Sequence, residues 1–130
     1  MPKKKFRVGR SRTGLGLFAT EAIRKRALVV EYTGRRIPTV KAQEIESRRA
    51  NKYMFEINSR WTIDGSSRRN MARYVNHSCE PNAEAELVRG RMMFRAIEPI
   101  AAGDEITIDY GEEYVELYFA RSGCKCAGCK

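Results

Sequence analysis

The sequence predicts a mainly β fold with one or two short helices. The chain contains many short runs rich in β-branched and aromatic residues, and turn-forming residues separate these runs at close intervals. One segment stands out as a helix candidate, and no internal repeat or low-complexity segment is present. With 130 residues, the chain is most simply one domain with one hydrophobic core.

The first half of the chain contains two β-rich runs, a glycine-containing segment and the predicted helix. Phe6–Val8 is predicted as an edge strand, Gly14–Ala19 places two glycines before an apolar run, and Ala27–Tyr32 is β-rich. The helix is predicted for Pro38–Arg49, with Thr39 as its N-cap. The residues at helical spacing are Val40, Gln43, Glu44 and Ser47.

The second half of the chain is predicted to contain two hairpins and a final strand. In each hairpin, two β-rich runs flank a short turn. The runs and turns are Tyr53–Ile57, Asn58–Arg60 and Trp61–Ile63 in the first hairpin, and Ala83–Val88, Arg89–Arg91 and Met92–Ile97 in the second. Ala102–Asp104 then turns the chain into Glu105–Gly111, which alternates apolar and polar residues as a half-buried strand does.

The positive charge of the chain is concentrated at its N-terminus. Residues 1–26 carry nine Lys or Arg against Glu21 alone, whereas residues 27–130 carry sixteen Lys or Arg against fifteen acids. We interpret this N-terminal region as a solvated basic arm with weak attraction for nucleic-acid phosphates. Met1–Lys5 leads into no apolar run, and the longest apolar stretch is Ala27–Val30, so we expect neither a signal peptide nor a membrane span. A reducing compartment, the cytoplasm or the nucleus, is therefore expected.

The segment Arg73–Asn82 holds the only histidine of the chain, His77, and one of its four cysteines. It also contains Asn76 and Ser78, whose side chains favour turns because they hydrogen-bond nearby backbone. Irregular backbone needs polar partners when it is buried, and a functional site is a common reason for burying it. The segment is either a surface turn or part of a site, and the rest of the chain favours a site.

Three of the four cysteines lie within six residues at the C-terminus. Four thiolates that converge on a tetrahedron are typical of a structural zinc site. Disulfides are the alternative, but no export signal is present, and a pair between Cys126 and Cys129 would leave Cys124 unexplained. We therefore predict Zn²⁺ bound by the cysteine tail and the central segment. The predicted ligands are Cys79, Cys124, Cys126 and Cys129.

The run Gly14–Ala19 also matches the dinucleotide-binding pattern G-x-G-x-x-G/A. That pattern needs an apolar strand before it and a helix after it, whereas here Arg10–Thr13 precedes it and a β-prone run follows. The match is therefore weak. Gly14 and Gly16 permit either a close approach of the backbone to a ligand or a tight turn, and both interpretations stay open.

Several motifs occur in the order found in SET-domain protein lysine methyltransferases, and the chain resembles that family from about Phe6 to Cys129. The motifs are Gly14-x-Gly16, Glu31-Tyr32-Thr33-Gly34, Asn76-His77-Ser78-Cys79-x-Pro81-Asn82, Glu105-Ile106-x-Ile108-Asp109-Tyr110-Gly111 and the C-terminal cysteine cluster. The resemblance implies a β-clip SET fold of small sheets with a C-terminal pseudoknot. It divides the chain into a basic arm (1–5), a SET domain (6–114) and a post-SET zinc-binding tail (115–130).

The same resemblance implies S-adenosylmethionine as the methyl donor and gives roles to individual residues. The residues implied to bind S-adenosylmethionine are Gly14, Leu15, Gly16, Arg73, Asn76 and His77. Tyr110 is the implied catalytic tyrosine. The residues implied to act beside it and to line the channel for the substrate lysine are Tyr32, Tyr53 and Ile108. The chain departs from the family at Ile108, where Phe or Tyr is usual, and in its cysteine tail, which reads C-x-C-x2-C where C-x-C-x4-C is usual.

Residues 104–116 contain six acids and no base. The acids are Asp104, Glu105, Asp109, Glu112, Glu113 and Glu116. They form either a solvated turn or a negative wall for a basic, lysine-bearing peptide that adds as a strand to an open sheet edge.

The sequence therefore predicts a protein-lysine N-methyltransferase that acts on a basic, histone-like tail. The alternative is a non-catalytic module that keeps the fold and binds basic peptides or nucleic acid, although the retained Tyr110, Asn76 and His77 argue against it. A structural role for His77 is favoured over a role as general base, because the sequence shows no obvious carboxylate to orient the ring. The smaller, apolar Ile108 predicts products beyond monomethyl-lysine.

Overall fold

The computed structural model describes residues 5–11, 14–48 and 54–109. Within these residues the strands form three small sheets, accompanied by one α-helix and one 3-10 helix, which confirms the predicted mainly β class. The elements are β1 (Phe6–Ser11), β2 (Gly14–Ala19), β3 (Leu28–Glu31), β4 (Arg35–Pro38), α1 (Thr39–Arg48), β5 (Met54–Glu56), β6 (Trp61–Asp64), the 3-10 helix (Met71–Tyr74), β7 (Asn76–His77), β8 (Ala83–Val88), β9 (Arg91–Ala96) and β10 (Glu105–Ile108). No helix in this part of the chain is long and apolar enough to cross a membrane.

The first sheet has the strand order β1-β2-β10-β7 and joins segments that are far apart in sequence. β1 and β2 form an antiparallel hairpin in which Phe6 lies opposite Ala19 and Ser11 lies opposite Gly14. β10 pairs antiparallel with β2 on one side and parallel with β7 on the other. β1 is an outer strand of this sheet, which confirms the predicted edge strand.

The two predicted hairpins form the larger part of the other two sheets. β9 lies between β3 and β8 in one sheet, and β6 lies between β4 and β5 in the other, with antiparallel pairing throughout. Between β8 and β9, Arg89 and Gly90 have φ angles of 49° and 81°, as the two-residue turn of a twisted hairpin requires. Between β5 and β6, Oδ1 of Asn58 accepts hydrogen bonds from the N–H groups of Arg60 and Trp61, each at 2.8 Å.

Apolar side chains from all three sheets meet in one hydrophobic core. Leu17 of β2, Phe94 of β9 and Ile106 of β10 are almost completely buried. In β10 the predicted alternation is confirmed, because Ile106 and Ile108 are buried while the residues between and before them are half-buried. The core therefore fixes which residues of β10 face inward and which face the other side of the first sheet.

The helix α1 forms where it was predicted and is one residue shorter at each end. Val40 is 75% exposed, whereas Ala42 is 2% exposed. The hydroxyl of Thr39, the predicted N-cap, donates to the carbonyl oxygen of Asn58 at 3.0 Å and lies 2.9 Å from the hydroxyl of Thr62. These polar contacts connect the start of α1 to the β5–β6 hairpin.

The side chain of Asn82 holds β10 through two hydrogen bonds to its backbone. Nδ2 of Asn82 donates to the carbonyl oxygen of Glu105 at 2.8 Å, and Oδ1 accepts from the N–H of Thr107 at 2.9 Å. A side-chain amide has the same donor and acceptor as a peptide unit, so Asn82 acts as a short piece of neighbouring strand. Together with the parallel β7–β10 pair, this contact is the described part of the expected C-terminal pseudoknot.

Replacing Asn82 with alanine should lower the free energy of unfolding by about 2 kcal/mol, because a half-buried carbonyl and a half-buried N–H of β10 lose their partner. Urea unfolding followed by circular dichroism measures this change. The matched control is Asn58→Ala in the exposed turn between β5 and β6, where water can replace the lost contacts. Equal losses in the two variants would contradict a special role for Asn82.

Candidate functional site

In the first sheet, the first half of β10 pairs with β2 and the second half pairs with β7. The Gly14-Leu15-Gly16 segment of β2 lies next to Asn76 of β7 at this change of partner. The β2–β10 pairs are Phe18 with Glu105 and Leu17 with Ile106, and the β7–β10 pairs are Asn76 with Thr107 and His77 with Ile108. The segment Gly14–Gly16 is paired with β1 on one side, and on the other side it meets the side chain of Asn76. We call this region, formed by Gly14–Gly16 and Asn76, the β2/β7 junction.

The side-chain amide of Asn76 connects the strands at this junction. Its Nδ2 lies 2.9 Å from the carbonyl oxygen of Leu15, 2.8 Å from Oε2 of Glu105 and 3.1 Å from Oγ of Ser11. The two N–H bonds of the amide are shared among these acceptors. Asn76 therefore links β1, β2, β7 and β10 at one point and fixes the direction of the Leu15 carbonyl.

Gly14 and Gly16 are needed for different reasons. Gly14 has a φ of 125°, which residues with a side chain rarely adopt. At Gly16 an added Cβ would lie 2.5 Å from Oε2 of Glu105, so a carboxylate of the same chain fills the space beside this glycine. Leu15, between them, is 55% exposed. The segment continues as a strand where the dinucleotide motif needs a helix, so that weak match is not a dinucleotide site.

His77 lies next to the junction and has a carboxylate partner that the sequence did not reveal. Its Nδ1 is 3.7 Å from Oδ1 of Asp109, and its Nε2 is 3.3 Å from Sγ of Cys79. Burial lowers the pKa of His77 below the ordinary value of 6.5, and the Asp109 carboxylate opposes that effect. The expectation that no carboxylate faces His77 was therefore wrong, and the buried ring is favoured in its neutral form.

Ile108, predicted to line the lysine channel, is buried and lies opposite His77 in the parallel pair. The N–H of Ser78 donates to the carbonyl oxygen of Ile108 at 2.9 Å, which extends this pairing by one more hydrogen bond. Tyr110, two residues further on, lies outside the described residues. That Tyr110 and Ile108 face the same channel therefore stays a prediction.

Tyr32 is buried among aromatic rings rather than at the β2/β7 junction. The centroid of its ring is 4.9 Å from that of Phe55 and 5.9 Å from that of Phe94. Gly65 packs directly against the Tyr32 ring and against Nδ2 of Asn70, so a side chain at position 65 would collide with both. Tyr53, predicted to line the channel with Tyr32, lies outside the described residues.

Arg73, also predicted to bind the cofactor, lies in the 3-10 helix just before the junction. Its Nη1 donates to the carbonyl oxygen of Ser66, and its guanidinium carbon is 5.4 Å from the centroid of the Tyr74 ring. These contacts direct Arg73 to the loop before the helix, and its role in cofactor binding stays a prediction.

The described acids of the 104–116 segment have partners within the chain. Glu105 accepts from Asn76, Asp104 Oδ2 accepts from the N–H of Ala101 at 3.3 Å, and Asp109 faces His77. These three carboxylates are therefore used by the fold, whereas Glu112, Glu113 and Glu116 lie outside the described residues.

Cys79 is exposed and directly follows the buried Ser78. The other predicted zinc ligands, Cys124, Cys126 and Cys129, lie outside the described residues. Among the residues that are described, no group of three or more His, Cys, Asp or Glu side chains forms a metal site.

The fold and these motifs agree with comparisons to known proteins. The family model described as "SET domain" matches residues 14–111. The chain belongs to the SET domain family.

Curated relatives of this chain are histone-lysine N-methyltransferases. The enzyme of Saccharomyces cerevisiae named as specific for histone H3 lysine 4 is 32% identical over 126 residues, which cover 88% of this chain and 12% of that protein. The histone-lysine N-methyltransferase set-2 of Caenorhabditis elegans is 38% identical over 118 residues, which cover 83% of this chain and 8% of that protein. The chain thus spans about a tenth of the length of these relatives.

Solved structures with the same fold come from polycomb repressive complex 2 (PRC2) of Chaetomium thermophilum. A crystal structure of that complex aligns with a TM-score of 0.78 and 30% identity, over 90% of this chain and 16% of the solved chain. A ctPRC2 structure in an autoinhibited conformation, bound to S-adenosylmethionine, aligns with a TM-score of 0.74 and 29% identity, over 92% of this chain and 17% of the solved chain.

Proposed function

We propose that this protein is an S-adenosylmethionine-dependent protein-lysine N-methyltransferase that acts on a basic, histone-like tail. The observation that carries the proposal is the Asn76 amide, which joins the exposed residue Leu15 of the glycine segment to the strand that leads into Tyr110. Membership of the SET domain family and the names of the relatives support the same activity. The relatives' substrate supports histone H3 or a similar tail as the first substrate to test.

The residues of the β2/β7 junction fit the proposed cofactor. Gly14 and Leu15 are exposed and offer accessible backbone, Asn76 offers Oδ1 of its amide, and His77 is an uncharged neighbour at neutral pH. When bound, S-adenosylmethionine supplies a positively charged sulfonium and the methyl group that is transferred. A neutral histidine beside this site adds no charge that would repel a cation.

The substrate lysine must lose its proton before it can accept a methyl group. A free lysine has a pKa of about 10.4, so about one molecule in a thousand is neutral near pH 7.5. An apolar channel lowers that pKa, because burial disfavours the ammonium form, and the nearby sulfonium lowers it further. Ile108 and Tyr32, both buried in the hydrophobic core, are the described residues that we assign to this channel. We assign Tyr110 the role of orienting the lone pair of the amine by a hydrogen bond.

We also propose that one Zn²⁺ joins the cysteine tail to Cys79. Cys79 follows β7 and Asp109 follows β10, so these two residues lie beyond the same end of the first sheet because β7 and β10 are parallel. Cys79 is exposed, so its thiolate is accessible to ligands from the tail. Four thiolates suit the tetrahedral coordination of structural zinc.

The zinc proposal predicts one equivalent of tightly bound zinc per chain after purification under reducing conditions. Inductively coupled plasma mass spectrometry measures the metal, and titration of free thiols tests for disulfides. Replacing Cys79 with alanine should release the zinc and weaken S-adenosylmethionine binding, because we propose that the zinc-bound tail forms one wall of the cofactor site. A metal-free protein, or one with oxidised cysteine pairs, would refute the proposal.

Tyr110→Phe should preserve the fold and cofactor affinity but slow methyl transfer by on the order of a hundredfold or more, because the amine loses its orienting hydrogen bond. Transfer of a labelled methyl group to histone H3 measures the rate. The matched control is Tyr114→Phe, which removes a hydroxyl four residues further along the same segment. Wild-type turnover of Tyr110→Phe would remove Tyr110 from the mechanism.

The number of methyl groups added should depend on Ile108. A tyrosine at this position would fix one orientation of the amine and occupy space, whereas isoleucine offers an apolar wall that tolerates a first methyl. We expect the wild type to form di- or trimethyl-lysine and Ile108→Tyr to stop at an earlier product. A time course on a single-lysine peptide, read by mass spectrometry, tests this expectation. Identical product patterns for the two proteins would show that position 108 does not set the limit.

A non-catalytic module that binds basic peptides or nucleic acid is the alternative function. The basic N-terminal region supports weak phosphate binding, which fits a protein that works near nucleic acid in the nucleus or another reducing compartment. Calorimetric titration with S-adenosylmethionine, followed by the labelled-methyl assay on mixed basic proteins, separates the two functions. A chain that binds the cofactor and transfers methyl groups is the enzyme. A chain that does neither is better explained as the non-catalytic module.

A further inference from the structure

We propose that Glu105 is a positioning residue of the S-adenosylmethionine site. Its carboxylate holds the Asn76 amide and the Gly14–Gly16 backbone in the arrangement that binds the cofactor. This inference rests on the proposed function, and it gives a role to a residue that the sequence placed in a motif and in an acidic segment without a role of its own.

The first support is the environment of the Asn76 amide. Its Nδ2 is surrounded by Oε2 of Glu105 at 2.8 Å, the carbonyl oxygen of Leu15 at 2.9 Å and Oγ of Ser11 at 3.1 Å. An ionised carboxylate only accepts hydrogen bonds, and a backbone carbonyl also only accepts. A flipped amide would place Oδ1 against these oxygens, so Glu105 and Leu15 together determine which end of the Asn76 amide faces the junction.

The second support is the match between Glu105 and Gly16. The ideal Cβ of a residue at position 16 would lie 2.5 Å from Oε2 and 3.1 Å from the carboxyl carbon of Glu105. The carboxylate therefore rests in the space that glycine leaves open, and it touches the same backbone segment that Asn76 holds. Glu105 and Gly16 form one packed unit, even though 88 residues separate them in the chain.

The third support is that Glu105 stands on a firmly held backbone. It pairs with Phe18 of β2, and its carbonyl oxygen accepts the hydrogen bond from Asn82. Because its backbone is fixed on two sides, Glu105 only has to order its side chain when it forms its contacts. The carboxylate can therefore position Asn76 before the cofactor arrives, which is how outer groups usually act on the groups that touch a ligand.

The test compares Glu105→Ala and Glu105→Gln with the wild type and with the control Glu84→Ala, an exposed glutamate of β8. Calorimetry gives the dissociation constant of S-adenosylmethionine, labelled-methyl transfer gives kcat and KM, and circular dichroism confirms folding. We expect Glu105→Ala to weaken cofactor binding by on the order of tenfold or more with a smaller change in kcat, because a charge-assisted hydrogen bond to Asn76 is lost. Glu105→Gln keeps an acceptor oxygen and should stay within about threefold of the wild type, since neutral hydrogen bonds are weaker but alike in shape.

Gly16→Ala provides a second test that leaves Glu105 in place. The new methyl group would displace the tip of the Glu105 side chain, so cofactor binding should weaken as it does in Glu105→Ala. In the double variant the two effects should not add, because both remove the same contact. This arm also keeps the inference testable if Glu105→Ala does not fold.

The outcomes separate this inference from the proposed function. A wild type that binds no S-adenosylmethionine would overturn both. A wild type that binds it, with Glu105→Ala binding equally well, would overturn only the role of Glu105. If the KM for the peptide rises while the affinity for the cofactor is unchanged, Glu105 acts on the substrate as part of an acidic wall, and its role in positioning Asn76 is overturned. If Glu105→Gln binds the cofactor as weakly as Glu105→Ala, the negative charge of Glu105 and not its acceptor position is what binding needs, which also overturns the positioning role.

Discussion

The arrangement of the site depends on the parallel pairing of β7 with β10. This pair contains two residues of each strand, and parallel pairs of that length contribute little stability by themselves. Side chains supply further contacts. The amide of Asn76 bonds the Glu105 side chain of β10, and the amide of Asn82 bonds the β10 backbone. Because backbone and side-chain contacts converge on β10, its last two residues are held in a defined position although they no longer pair with β2.

The same pairing explains why the site forms only in the folded chain. Asn76 is 65 residues from Ser11, 61 residues from Leu15 and 29 residues from Glu105, and none of these contacts can form locally. Each contact requires that β1, β2, β7 and β10 are already in register. Local propensities bring each strand close to its final shape, and the shared contacts at Asn76 then make the register of one strand depend on the others. Loss of one contact should therefore loosen its neighbours as well.

The features that the sequence predicted correctly depend on short-range rules. The two hairpins follow from turn residues such as Asn58 and Gly90, and the alternation in β10 follows from a period of two. The features that it missed depend on distant partners. The hydroxyl of Thr39 meets that of Thr62 across a gap of 23 residues, and the Asp109 carboxylate reaches His77 only because β7 and β10 run parallel. A single sequence contains no local signal for either contact.

The acidic segment shows the same limit most clearly. In sequence, Asp104, Glu105 and Asp109 belong to one run of acids, and a shared negative field is the natural interpretation. In the fold they separate, because Asp104 closes the turn before β10, Glu105 points to the face of the first sheet that carries Asn76, and Asp109 follows the strand and meets His77. A strand places neighbouring residues on opposite faces, so a run of like charges that crosses a strand is distributed among different surroundings. The glycine motif depends on this distribution. Glu105 pairs with Phe18 of β2 and lies on the same face of the sheet, and Gly16, two residues before Phe18, is also on that face, so the Glu105 carboxylate can rest beside Gly16. Two motifs that look independent in the sequence therefore form one structural unit.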